Sequence, residues 1–242
     1  MEDLEDLEDL KLLVNELENN TNKEEQIKIL QKIGKVLITE YEIKVNGIKI
    51  EPLLVEAYYY NQENFADCNS HLDDKQKNRF GKLYFHNKGY GGFDICLSNS
   101  DKFYLSFLLK ATLINGKFNT QTGIYDFLNA NDKSKSELEN KENVLIKRAS
   151  PKNCKIKYAE RVGITKPCYK TEALAMFSFE ALGNDKYNFT FARKVLIPLV
   201  KEEMQNYKNN SNQKLAESDY KKRCKKVFGW TPDALNDILK DL

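Results

Sequence analysis

Both histidines of the chain, His71 and His86, fall in one segment with Glu56, Asp67, Asp94 and the rings Tyr58, Tyr59, Tyr60, Tyr84, Phe85 and Tyr90. One carboxylate among stacking rings and hydrogen-bonding tips suits a pocket that holds a flat heterocycle and hydrolyses a bond beside it. The same residues would also make a buried polar core. In Val55-Glu-Ala-Tyr58 the period of two of a strand places Glu56 and Tyr58 on one face. A carboxylate there could accept a proton from an attacking water and stabilise positive charge that grows beside it, and electron-rich rings hold a cation by cation–π attraction.

Other chemistries have less behind them. Gly89-Tyr-Gly-Gly92 lacks the spacing of a nucleotide-binding loop, and a tight hairpin explains it. His71, His86, Asp94 and Cys96 are conceivable metal ligands, yet the H-x-E and P-C-x-x-C pattern of a zinc deaminase is absent. Cys68 and His71 form only an isolated pair. For Glu56, Arg79 and Lys110 the plain alternative is a structural ion pair, and for the tyrosines it is packing.

Five short elements, in order over about half the chain, resemble the alkyladenine (3-methyladenine) DNA glycosylase family, of which the chain would be a divergent member. Val55-Glu56-Ala57-Tyr58 resembles the family's V-E-T-E-A-Y strand, and His71 follows a polar loop as its pocket histidine does. Leu83-Tyr84-Phe85-His86 with Tyr90-Gly91 is similar to its L-Y-V-Y…Y-G hairpin. Phe107-Leu-Leu-Lys110-Ala111 resembles L-L-R-A, and Ala159-Glu-Arg161-Val162-Gly163 resembles A-A-R-V-G. The resemblance implies Glu56 as general base, Tyr58 and His71 sandwiching a flipped base, and Lys110 with the Val162 carbonyl positioning water. His86 stands where the family has a sandwich tyrosine, and Tyr90 where it has the residue wedged into the duplex. Asp94, Cys96 or Leu97 would hold the place of the base-discriminating asparagine. Arg79 and Arg161 are the expected DNA contacts beside Tyr90, and no cofactor is implied. Lys110 cannot reproduce the bidentate fork of the family's arginine.

The elements that must position these residues are legible in the patterning. The expected fold is α+β, a single mixed, mostly antiparallel curved sheet with surrounding helices and helical N- and C-terminal extensions. Its divisions are 1–40, a core over 41–200, and a basic helical segment over 201–242. Leu4, Leu7, Leu10, Leu13 and Leu17, then Ile27, Leu30, Ile33 and Leu37, predict a helical hairpin interrupted at Asn19 to Lys23. Packing or self-association would use such a stripe. Asn46-Gly47 predicts a β-hairpin, and strands follow at Leu53–Tyr60, Lys82–His86, Phe93–Ser98, Phe103–Leu113 and Leu174–Ala181. Gly116 to Asn143 reads as a helix and solvated loop. Helical spacing returns from Asn188, breaks at Asn206 to Gln213, and resumes over Ser218 to Leu242, where Thr231 could cap a helix starting at Pro232.

Composition sets the remaining bounds. A net charge of +2 gives no global electrostatic case for nucleic acid, so any affinity must be local, as in Lys221-Lys-Arg-Cys-Lys-Lys226. Five cysteines without a C-x-x-C pair argue against a disulfide framework and a structural zinc, and favour a reducing cytoplasm. No apolar run reaches membrane-spanning length. The expected function is N-glycosidic cleavage of a damaged or modified purine in DNA. The alternative is a non-catalytic module binding nucleic acid or protein.

Overall fold

The computed structural model describes residues 7–45, 47–86, 92–121, 123–124, 143–148, 150–161, 164, 168–169, 172–178, 197–211, 215–228, 231–232, 235–240 and 242. The leucine stripe forms α1 (Glu8–Asn19) and the isoleucine-rich stretch α2 (Lys23–Glu40). Asn22 sets the second start, its side chain accepting from the Glu24 and Glu25 amides, which a helix leaves unpaired at its first turn. Leu10, Leu13, Val14 and Leu17 pack with Ile29, Leu30, Ile33 and Leu37 in the main core, so the stripe is spent within the molecule. The hairpin is thus part of the core rather than an appendage to it.

Ten strands follow among the described residues: β1 (Tyr41–Val45), β2 (Ile48–Asn61), β3 (Phe65–Ala66), β4 (Lys82–Phe85), β5 (Phe93–Cys96), β6 (Phe103–Ile114), β7 (Lys117–Thr120), β8 (Asn143–Lys147), β9 (Ile156–Ala159) and β10 (Ala175–Ser178). The sheet runs β4-β5-β6-β2-β1-β8; β3 and β10 also pair with β2, β7 with β6, and β9 with β10. Every pairing among the described residues is antiparallel. The fold is therefore α+β on an antiparallel sheet, as the patterning predicts. Gly47 closes the first hairpin at φ 76°.

Register shifts between Pro52 and Val55 bulge β2 against β6 and divide its use. After the bulge, Val55, Ala57 and Tyr59 point into the core shared with α1 and α2. Leu53 and Leu54 join a second cluster with Ala111, Ala175 and Phe177. That cluster is capped by Val200 and Met204 of α3 (Ile197–Asn209), Tyr220 and Cys224 of α4 (Glu217–Phe228), and Leu235 and Ile238 of α5 (Leu235–Lys240). Full burial of such side chains contributes roughly 1.5–3 kcal/mol each. The even-numbered side chains Glu56 and Tyr58, which alternate with the main-core set, lie on the opposite face beside the second cluster.

Several expectations are corrected. Of Gly116 to Asn143, expected as a helix and loop, Lys117–Thr120 instead forms strand β7, Gln121, Gly123 and Ile124 are helical, and 125–142 lie outside the described residues. Asn115 and Gly116 both take positive φ, 48° and 76°, so they close a second Asn-Gly hairpin between β6 and β7. Strand β9 occupies the approach to the Arg161 turn. Helix α3 runs through Asn206 to Asn209. Cys68 is bonded to Cys168, with Cα atoms 6.0 Å apart, against the expectation of unpaired thiols. Among the described residues no helix is long and apolar enough to cross a membrane.

Candidate active site

Glu56 is fully buried, and two neighbours meet its carboxylate. Tyr58 donates its hydroxyl to Oε2 at 3.1 Å, and Lys110 Nζ lies 3.4 Å from the same oxygen. The alternation of β2 brings the tyrosine, and the adjacent strand β6 brings the lysine, whose side chain is 8% exposed. Burial, then the charge of Glu56, pushes the Tyr58 hydroxyl well above the ordinary phenol range, so it remains a donor. Of the residues expected to carry and orient the hydrolytic water, Glu56 and Lys110 are thus together, with Tyr58, expected to stack on the base, beside them.

Behind Tyr58 stands Arg161, its guanidinium 4.6 Å from the ring centroid. Nη1 and Nη2 of Arg161 grip Asp67 at 2.6 and 3.2 Å and donate also to the carbonyls of Ala57 and Tyr169. Both ionic side chains are wholly buried. The expectation of Arg161 as a duplex contact is corrected: it braces the back of the Tyr58 ring from inside the fold. Arg79 is half-buried and donates to the Leu83 carbonyl at 3.0 Å.

A second cluster lies two strands away. Asp94 is 2% exposed and accepts from Gln76 Nε2 at 2.9 Å and Ser106 Oγ at 2.8 Å, while His86 Nε2 sits 2.8 Å from its other oxygen. His71, exposed, and Tyr84 set their rings edge-on to His86, with centroids 4.9 and 5.2 Å away. Burial opposes protonation of His86, yet the charge of Asp94 and the bond to it prevail and raise its pKa. Tyr84 donates to Asp73 at 2.7 Å, which helps hold the Asp73 carboxyl below its ordinary range. Burial and then Asp94 push the Cys96 thiol up, which removes it as a nucleophile at neutral pH.

Register joins the clusters. Glu56 on β2 and Asp94 on β5 both pair with Leu108 on β6, and Asp94 pairs with Tyr84 on β4. Glu56, Leu108, Asp94 and Tyr84 therefore form one row across the sheet. Of the expected site residues, Glu56, Tyr58, Lys110, His71, His86 and Asp94 share this face, whereas Tyr90 and Val162 lie outside the described residues. Sequence reasoning missed Gln76, Ser106 and Asp73, and left Asp67 without its partner. Ser106 carries a faint signal, since it shares its strand parity with Leu108 and Lys110. Among the described residues, no group of three histidine, cysteine or acidic side chains is placed to hold a metal ion.

No protein-family model matches the chain, and no curated protein matches it.

Proposed function

We propose that the chain is an N-glycosidase acting on a damaged or modified purine of DNA, with Glu56 as general base. The observation that carries this reading is the Glu56 carboxylate, buried and met by both the Tyr58 hydroxyl and Lys110 Nζ. A carboxylate so placed accepts a proton from water and stabilises the positive charge that grows on the sugar. Tyr58, backed by Arg161, presents a braced ring for a base taken out of the stack. The water adds at the anomeric carbon, its proton passes to Glu56, and the glycosidic electron pair leaves with the base.

The test is base release from duplexes carrying hypoxanthine, ethenoadenine or 3- and 7-methylpurines, followed by cleavage of abasic sites. Wild type is expected to release a base and Glu56→Gln to lose at least ~100-fold in rate. Undiminished release by Glu56→Gln overturns the reading.

A second reading has its own support. Glu56 has no exposure, as a structural ion pair would have none, and Lys222, Lys225 and Lys226 face solvent along α4. A non-catalytic nucleic-acid module would then bind duplex without releasing any base. In that case, changing these three lysines to glutamate flattens the dependence of log affinity on log salt by roughly 0.9 for each phosphate no longer neutralised.

A further inference from the structure

The Cys68–Cys168 bond joins two residues in unlike surroundings. Cys68 is exposed and Cys168 half-buried, with their Cα atoms 6.0 Å apart. An exposed disulfide is open to an incoming thiolate, and such bonds exchange where sheltered ones persist as cross-links. Whether attack succeeds depends on how well the fold receives the sulfur that leaves.

That sulfur already has its donors. Cys168 Sγ accepts from the Cys68 backbone amide at 3.0 Å and from Asn69 Nδ2 at 3.7 Å. A disulfide sulfur is a weak acceptor and gains little from these N–H groups. A thiolate gains far more, because a hydrogen bond to a charged group is roughly twice as strong as a neutral one. Asn69 is itself fixed, since Nδ2 also donates to the Cys168 carbonyl at 2.6 Å and to Asp67 Oδ1 at 3.2 Å, and its amide donates to that oxygen at 3.0 Å. The donors therefore stand in place before the bond opens.

The same turn leads to the Glu56 site. Asp67, next to Cys68, is gripped by Arg161, and Arg161 Nη2 donates to the carbonyl of Tyr169, next to Cys168. Tyr169 has a φ of 52°, a conformation that a tyrosine keeps only where its surroundings hold it. Phe65 stacks on its ring with centroids 4.3 Å apart, and Lys23 Nζ lies 4.5 Å from the ring centroid. The disulfide is the covalent member of that set, and Arg161 carries its state to the Tyr58 ring.

We propose that Cys68–Cys168 is a thiol–disulfide exchange site for a dithiol reductant, entered at Cys68, and that its opening loosens the Arg161 brace behind Tyr58. A reductant thiolate bonds to Cys68 Sγ, the electron pair of the S–S bond passes to Cys168 Sγ, and that thiolate takes a proton from solvent. The second thiolate of the reductant then attacks the reductant's own sulfur in the mixed disulfide, and Cys68 leaves with the electron pair and is protonated. The protein gains two electrons and two protons, and the dithiol becomes a disulfide. The proposal stands apart from the N-glycosidase reading, because its chemistry is at sulfur and its readouts do not include base release.

The experiment treats the oxidised whole chain with glutathione, quenches with acid and maps the adduct by mass spectrometry. The mixed disulfide is expected on Cys68 in at least ~10-fold excess over Cys168. Dithiothreitol should then reduce the bond at a rate proportional to its concentration, without the plateau that access limited by unfolding would impose. Asn69→Ala is expected to slow this reduction at least ~3-fold, and Asn69→Gln, which keeps a donor, to recover most of the rate. By NMR, solvent exchange of the Arg161 guanidinium protons should rise at least ~10-fold on reduction, while the amides of α2 keep their protection and report an intact fold in every variant. An adduct absent from Cys68 or mainly on Cys168, a rate that reaches a plateau, or reduction unslowed by Asn69→Ala overturns the exchange site. Unchanged exchange at Arg161 overturns its coupling to Tyr58.

Discussion

Lys110 and Glu56 face one another across adjacent strands, with Nζ 3.4 Å from Oε2 and side-chain exposures of 8% and 0%. The bulge around Leu54 offsets the register beside this pair, setting Val55 opposite Leu109 and Glu56 opposite Leu108. An ion pair so deep is held at the cost of desolvating both charges, and it makes each partner dependent on the other.

Lys110→Met is therefore expected to strand the Glu56 charge and cost about 3–5 kcal/mol of folding stability. Urea unfolding checks this. The double variant Lys110→Met with Glu56→Leu should recover most of the loss, because no unpaired charge remains. If the single variant proves as stable as wild type, the carboxylate does not depend on the lysine.

Arg161→Lys should be nearly as damaging as removal of the side chain. Two guanidinium nitrogens reach Asp67 while the same group serves the Ala57 and Tyr169 carbonyls, and an ammonium cannot reproduce that fork. A loss of roughly 2–4 kcal/mol is expected in chemical denaturation. A change below ~0.5 kcal/mol would assign the bracing of Tyr58 to other contacts.

Cys68 and Cys168 close a loop with a sequence separation of 100. The chain-entropy argument gives about 4–5 kcal/mol for such a loop, and observed stabilisations more often reach about 2–4 kcal/mol. Reduction by dithiothreitol is expected to lower Tm by roughly 5–12 °C. Calorimetry with and without reductant measures it, with Cys68→Ser as the variant that should show no response.

Stability should also follow the protonation of His86. Its pKa is raised in the fold, so it binds a proton more tightly there than in the unfolded chain. The resulting stabilisation is fully present below the unfolded value of about 6.5 and is lost as pH rises through the higher folded value. Urea midpoints of wild type against His86→Gln, taken from pH 5 to 9, should converge toward the alkaline end. A difference between the two proteins that does not vary with pH would refute the charged His86–Asp94 pair.

Much of the frame is written locally. The three-and-four spacing of Leu10, Leu13 and Leu17 makes α1, Asn22 starts α2, and Gly47 turns the first hairpin. The same Asn-Gly signal stands at Asn115-Gly116, but patterning does not reveal the hairpin there, because a short polar strand such as Lys117–Thr120 lacks the apolar alternation that marks a half-buried one. Alternation also determined that Glu56 and Tyr58 share a face.

The partners on that face were decided by tertiary structure. Period and propensity act over a few residues, whereas the partner of a buried charge is whatever side chain long-range register brings within reach. Nothing near Asp94 in the chain announces Gln76 or Ser106, and nothing near Asp67 announces Arg161, which lies 94 positions away. The Cys68–Cys168 bond depends in the same way on two loops meeting. The sequence by itself determined which residue types line the sheet and which way they point; only the assembled strands decided which charges meet, because a buried charge is stable only where the fold delivers its complement.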